Sequence, residues 1–227
     1  MKTTIKILLL VAIAALGYFV IMSVMTPIQF ETERAKREKV VIERLIDLRT
    51  AQIEFRDQKG RYTTGLDTLI NFLQTGKKRM VLKEGMLTDA QLQAGLTEAK
   101  AVKIVRSGNQ KEINANGLQN FRRDTTMTNL INALYNGKYT AENIVDIQYI
   151  PFTDNAPFEV ELNNNYVNST GITIPLIEIR APYIVYLSDI NRQETLNLVD
   201  LQEKLEKYPG LKVGSVIEPN NFAGNWE

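Results

Sequence analysis

The stretch ILLLVAIAALGYFVIMSVM, Ile7 to Met25, holds 19 residues and no charge. At about 1.5 Å per residue a helix of that length reaches roughly 28 Å, close to the hydrocarbon thickness of a bilayer. Lys2 and Lys6 precede the run, and Tyr18 and Phe19 lie within it. A cleaved secretory signal shares the Lys-containing start, and Ala12-Ile13-Ala14 has the small-x-small form of a cleavage site. Cleavage there would leave too short an apolar core, and the whole run exceeds the roughly 7–15 residues of a signal core. The run therefore reads as a retained membrane anchor, residues 1–26. Ala12, Ala14, Ala15 and Gly17 are small enough to let a second helix approach closely in lipid. They are the candidate partner-binding residues of the span.

Outward from the anchor, Pro27 is expected to kink or interrupt the helix. Residues 27–60 then read as a stem. Glu31 to Lys39 is dense in both signs of charge, with Glu33/Arg37 and Arg34/Glu38 spaced to pair along a helix. A solvated stalk is the plainer reading of this stretch. A basic cluster of Lys36, Arg37 and Lys39 against anionic headgroups is the sharper one. From Val41 the pattern turns amphipathic: Val41, Leu45, Leu48 and Phe55 at helical steps, with Ile42, Ile46 and Ile53 beside them. This arc covers about half the helix and needs a partner surface. Arg49, Gln52 and Arg56 interrupt it. They either snorkel from its edge or, for Arg49, meet a carboxylate of the head or of a neighbouring subunit, because an unpaired buried charge is costly. Gly60 ends the helix.

The remaining chain, 61–227, reads as an α+β head. Thr64 to Asp67 opens a short helix, and Thr88-Asp89-Ala90-Gln91 is a capping box that opens another, with Leu92, Leu96, Ala99 and Val102 on one face. Gly76 to Arg79 is expected to be a basic turn, Met80 to Leu82 a short strand, and Ser107 to Gly117 irregular. Phe121 to Tyr135 mixes strand and helix signals. Val145-Ile147-Tyr149 and Phe158-Val160-Leu162 alternate with polar residues, as half-buried antiparallel strands do. Asn163 to Asn165 reads as a turn. Ile172 to Ile179 and Tyr183 to Leu187 read as further strands, Glu194 to Lys207 as a helix on Leu198, Leu201 and Leu205, and Leu211 to Val216 as a last strand. Trp226, the one tryptophan, is either tucked into a groove or offered to a partner.

The whole chain has 227 residues, 27 basic and 26 acidic, with no His and no Cys. Without them there is no disulfide, thiolate, imidazole ligand or His-based triad. The balanced charge gives no case for nucleic acid. No phosphate loop, dinucleotide glycine pattern, EF-hand loop or nucleophile elbow is present, so no catalytic residue, cofactor or metal is implied. Glu159, Glu161 and Glu178 could meet across strands but read more simply as solvent-facing.

Leu45-Ile46-Asp47-Leu48-Arg49-Thr50-Ala51-Gln52, then Phe55, Lys59-Gly60-Arg61-Tyr62 and Leu66-Asp67-Thr68-Leu69, resembles the end of the stem helix in type IV pilin-like proteins and the pseudopilins of type II secretion. The resemblance implies a long transmembrane-plus-stem helix carrying a small head with an antiparallel meander. Gly17-Tyr18-Phe19 lies inside the apolar run and no Glu follows before Glu31, so the leader-peptidase motif of that family is missing. The ending, Tyr208 to Ser215 with Gly224 to Glu227, is similar to single-pass envelope proteins of Bacteroidota. The expectation is a non-enzymatic, single-pass structural subunit of an envelope assembly, a secretion or surface apparatus. Its partners would be the lipid bilayer and copies of itself or other membrane subunits. Arg34, Lys36, Arg37 and Lys39 after the span would by count keep the head in the cytoplasm, but long domains translocate largely regardless of charge. With the resemblance, the expected place is the bacterial inner membrane with the C-terminal part periplasmic. The alternatives are a tethered extracytoplasmic binding module for a peptide or other ligand, through strand edges near Pro175 or the C-terminal tail, and a carboxylate-based tethered hydrolase.

Overall fold

The computed structural model describes residues 2–227, with Lys2, Val81 to Lys83, Asp124 and Thr125 described as backbone only. α1 spans Lys2–Lys59, 58 residues, or about 87 Å at the usual rise. It is long and apolar enough to cross a membrane. Pro27 neither ends nor interrupts it. Proline removes one donor and crowds one carbonyl, and here long helical stretches already exist on both sides, so propagation outweighs the local loss.

The chain divides into two compact units, residues 1–72 with 142–227, and residues 73–141. The first holds α1, most of α2 (Leu66–Thr75), β3 (Glu159–Val167), β4 (Thr173–Pro182), α7 (Tyr183–Leu187), α8 (Arg192–Lys204) and β5 (Gly210–Gly214). The three strands form an antiparallel sheet in the order β3-β4-β5. The molecule is thus mixed helix and sheet, with a long N-terminal apolar helix and a small antiparallel-sheet domain. Ile177, Ile179, Ala181, Leu211 and Val213 form the buried sheet face, and β4 and β5 contact α1. Glu159, Glu161, Arg180 and Lys212 line the other face, as period-two alternation requires.

On α1 the buried residues are Phe30, Val41, Leu45, Asp47, Leu48, Ala51, Gln52, Glu54 and Phe55. They cover half the circumference, but that half is rotated from the expected arc. Ile42, Ile46 and Ile53 are only half-buried. Ala51 lies fully buried on the side where Asp47 and Glu54 are enclosed.

Several expectations need correction. Val145, Ile147 and Tyr149 do not form a strand: Asn143–Gln148 is a 3₁₀ helix whose buried residues are Ile144, Ile147 and Gln148. Only Tyr149 keeps a bridge, to Pro157. Tyr183 to Leu187 is a helix too, with Tyr183, Tyr186 and Leu187 buried at steps of three and one. A five-residue apolar run fits both periods, and its packing decides. Asn163 to Asn165 lies inside β3, where the register shifts between Asn163 and Tyr166 and absorbs the polar run as a bulge. On α8, Leu198 is buried but Leu201 is exposed, as is Leu205 just past the helix end.

In the second unit, β1 (Lys77–Glu84) pairs antiparallel with β2 (Arg122–Asn129). The basic turn expected at Gly76 to Arg79 is mostly strand. The partner residues Asn129, Thr128 and Met127 give the pair no apolar alternation to read. Thr88 closes its capping box at the start of α3 (Asp89–Gln93). The expected single helix is broken at Gly95, and α4 (Glu98–Ser107) starts on its own cap, Thr97. The irregular segment holds α5 (Gln110–Ala115), capped by Asn109. α6 (Leu130–Tyr135) follows β2 directly. Leu96, Ala101, Leu118 and Phe121 form the core of the helical part.

Candidate functional site

The three polar residues on the stem arc are each engaged by the chain's own segments. Gln52 is fully buried, donates from Nε2 to Thr63 O at 2.7 Å and accepts from Thr63 N–H at 3.3 Å. This amide clamp satisfies a backbone pair that helix and sheet leave open. Arg56 donates to the Tyr62 hydroxyl at 2.8 Å and bridges Asp57. The Asp57 hydrogen bond raises the Arg56 pKa against the burial, and burial raises Tyr62 against the nearby guanidinium. Arg49 donates to Phe222 O at 2.9 Å and Glu227 Oε1 at 3.2 Å. Phe222 in turn meets Tyr62 edge-on at 5.6 Å. Stem, the 61–65 turn and C-terminal tail are thereby tied together.

This knot borders a groove of about 330 Å³, lined among others by Ile53, Arg56, Tyr62, Pro175, Ile177 and Phe222. Its floor is the part of β4 that lies beyond the end of β5, whose pairing stops at Glu178 with Gly214. Gly214 has φ +79°, and a Cβ there would lie 2.2 Å from Ile177 O, so the strand can end here only on glycine. Past Gly214 the tail returns along β5: Gly214 N–H bonds Ala223 O, and Asn225 N–H bonds Lys212 O.

Trp226 is half-buried, its ring lying against Gly224. It lines a second cavity of about 500 Å³ with Arg34, Glu38, Tyr183, Tyr208 and Lys212. Burial first, and the Glu38 charge second, push the Tyr183 phenol up to about 12. The same two causes raise Tyr186, and burial raises Tyr208. The hydroxyls of Tyr186 and Tyr208 are buried without a partner among the described residues.

The charged part of the stem is not a free stalk. Arg34 pairs with Glu38 as its spacing suggests, but Arg37 does not pair with Glu33. It holds Asp189 in a two-pronged bond at 2.6 and 2.8 Å, donates to Tyr186 O at 2.8 Å, and stacks over Phe152 at 4.9 Å. The hydrogen bond from Arg37 lowers the Asp189 pKa. Glu33 pairs with Lys36 instead. The partner of Arg37 could not be read from the sequence, because it is 152 residues away. Phe152 has φ +65°, an uncommon backbone for an aromatic residue, and it lies where this stack forms.

Ala12, Ala14, Ala15 and Gly17 lie on the exposed part of α1, and nothing approaches Gly17. On the sheet, Glu178 is buried between Arg180 at 3.3 Å and Lys212 at 2.9 Å, and Arg180 also reaches Glu161 at 2.7 Å. The solvent-facing reading of Glu178 is therefore corrected: its charge is enclosed by two cations. Among the described residues no acidic cluster is placed to hold a metal ion.

No protein-family model, curated protein or solved structure matches the chain.

Proposed function

We propose that the chain is a non-enzymatic, single-pass subunit of a bacterial envelope assembly of pilin-like architecture. It is anchored in the inner membrane by α1, with the sheet-bearing unit on the periplasmic side. One observation supports this above the others. α1 is a single helix, exposed and apolar over Ile7 to Met25, and enclosed by its own sheet over Val41 to Phe55. The stem's most buried arc is already occupied by the chain itself. The surface left for other subunits is the span, where Ala12, Ala14, Ala15 and Gly17 allow close helix packing. Arg49, Gln52 and Arg56 then act by fixing the head on its own helix. Crosslinking from single cysteines at positions 12, 14 and 17 in native membranes tests the proposal. Helix-periodic adducts to the same chain or a second membrane protein are expected, and recovery of monomer alone at every position would overturn it.

A second reading is a tethered module that binds an extended peptide. The groove beside the stretch of β4 that pairs with β3 but not with β5 favours it, since a strand end and an apolar floor suit added-strand recognition. Pro175→Trp, at a half-buried position of the lining, would narrow that groove, and the reading requires loss of binding with the fold and the membrane anchor intact.

A further inference from the structure

The end of α7 and the start of α8 are held against α1 close to where the apolar run stops. The two-pronged Arg37–Asp189 bond and the bond from Arg37 to Tyr186 O fix the turn from Ser188 to Asn191 on the helix. Below that bond a crevice of about 400 Å³ opens, lined by Thr26, Ile28, Gln29, Thr32, Ile190 and Asn191 among others.

The position of this crevice can be measured along α1. Thr26 to Thr32 extend about 10 Å past Met25 at the helical rise. The headgroup layer is about 5–7 Å deep on each side of the hydrocarbon. Thr26 to Gln29 therefore fall within that layer, and Thr32 lies about 3–5 Å beyond it. The lining matches the chemistry of that depth. Ile28 and Ile190 suit the glycerol carbons, the hydroxyl and amides of Thr26, Gln29 and Asn191 suit ester and phosphate oxygens, and Thr32 lies at the outer mouth of the crevice. Two charged residues also line the crevice, Lys36 and Glu33, and they pair with each other, as Arg37 does with Asp189 above it, so the charge is close to balanced. Such a surface suits a zwitterionic headgroup and does not need an anionic one. Ile28, Ile184 and Val185 are exposed at this end of the unit, as expected for side chains that meet a lipid surface.

We infer that this crevice is a phospholipid site, and that it seats the sheet-bearing unit on the bilayer surface. The inference rests on the membrane-anchored reading. It adds that the head is docked on the lipid and does not swing free above it.

The chain has no Cys, so Ile190→Cys and Ile217→Cys each carry one fluorescent label. Residues Ser215 and Pro219 flank Ile217 and share a groove with Ile53, which lies about 42 Å along α1 from Met25. The full-length labelled chains are reconstituted in phosphatidylcholine vesicles containing lipid brominated high on the acyl chain. The label at 190 is expected to lose most of its emission and the label at 217 almost none. Adding Thr32→Trp, which fills the crevice, is expected to restore emission at 190. If the label at 190 is no more quenched than that at 217 while the chain resists carbonate extraction, the lipid site is overturned and the anchor stands. Quenching at 190 that Thr32→Trp leaves unchanged also overturns the site. Release of the chain by carbonate overturns the anchored reading itself.

Discussion

The two halves of α1 have the same backbone and opposite surroundings. Over Ile7 to Met25 every side chain is exposed, although the composition is almost wholly apolar. Over Val41 to Phe55 the composition is mixed, yet residues as polar as Gln52, Asp47 and Glu54 are buried. Hydrophobicity alone therefore does not decide which half enters the protein core. The second half is buried because it offers a patterned face with partners for its polar groups. The first half has no such pattern, and apolar residues all round call for lipid as solvent.

The difference is broken most strongly by Leu45→Ala. Leu45 is fully enclosed, and truncation should cost about 2–5 kcal/mol. Leu10→Ala on the exposed half should leave the melting of the detergent-solubilised chain unchanged. Equal melting shifts for the two would erase the distinction. Gly214→Ala is expected next, at about 1–3 kcal/mol for the backbone strain, since Ile177 O blocks a Cβ. Hydrogen exchange should show β5 and the tail opening together. Gln52→Ala leaves the Thr63 backbone pair unsatisfied inside the protein, at about 1–3 kcal/mol. Gln52→Glu should be no better, because the carboxylate cannot donate to Thr63 O.

Asp189→Asn should have the smallest effect, about 0.5 kcal/mol after solvent screening, because the Asp189 side chain is 60% exposed. Its native pKa is lowered, chiefly by the Arg37 hydrogen bond. The stabilisation is therefore complete above the ordinary carboxylate value near 4 and disappears as pH falls through the lower native value. Melting curves of wild type and variant should differ at pH 6 and converge in acid. A gap that widens in acid would contradict the assignment.

The long helix, its glycine stop, α2, the Thr88 capping box and the three strands of the β3-β4-β5 sheet were legible in the sequence, because each carries a local signal. The rest needed tertiary partners. Tyr183 to Leu187 fits strand and helix equally until Pro209 O accepts from Tyr183 N–H and fixes the turn. No composition change marks the division at Phe72 and Leu73, which falls inside α2. The candidate residues Arg49, Gln52 and Arg56 stood out as polar interruptions of an apolar arc. What they hold lies up to 178 residues away, so spacing could not reveal it. Pro27 lies inside the continuous α1, so the interruption a proline can make does not occur there.

The most direct test is a spin-label scan along α1 of the full chain in bilayers, one position at a time from 5 to 57. The account predicts one uninterrupted helical period through Pro27. Labels from Ile7 to Met25 should collide freely with oxygen and poorly with a water-soluble relaxant, and those at Val41, Leu45, Leu48 and Phe55 should be shielded from both. A phase break at Pro27, or water-soluble relaxant reaching the first segment, would contradict it.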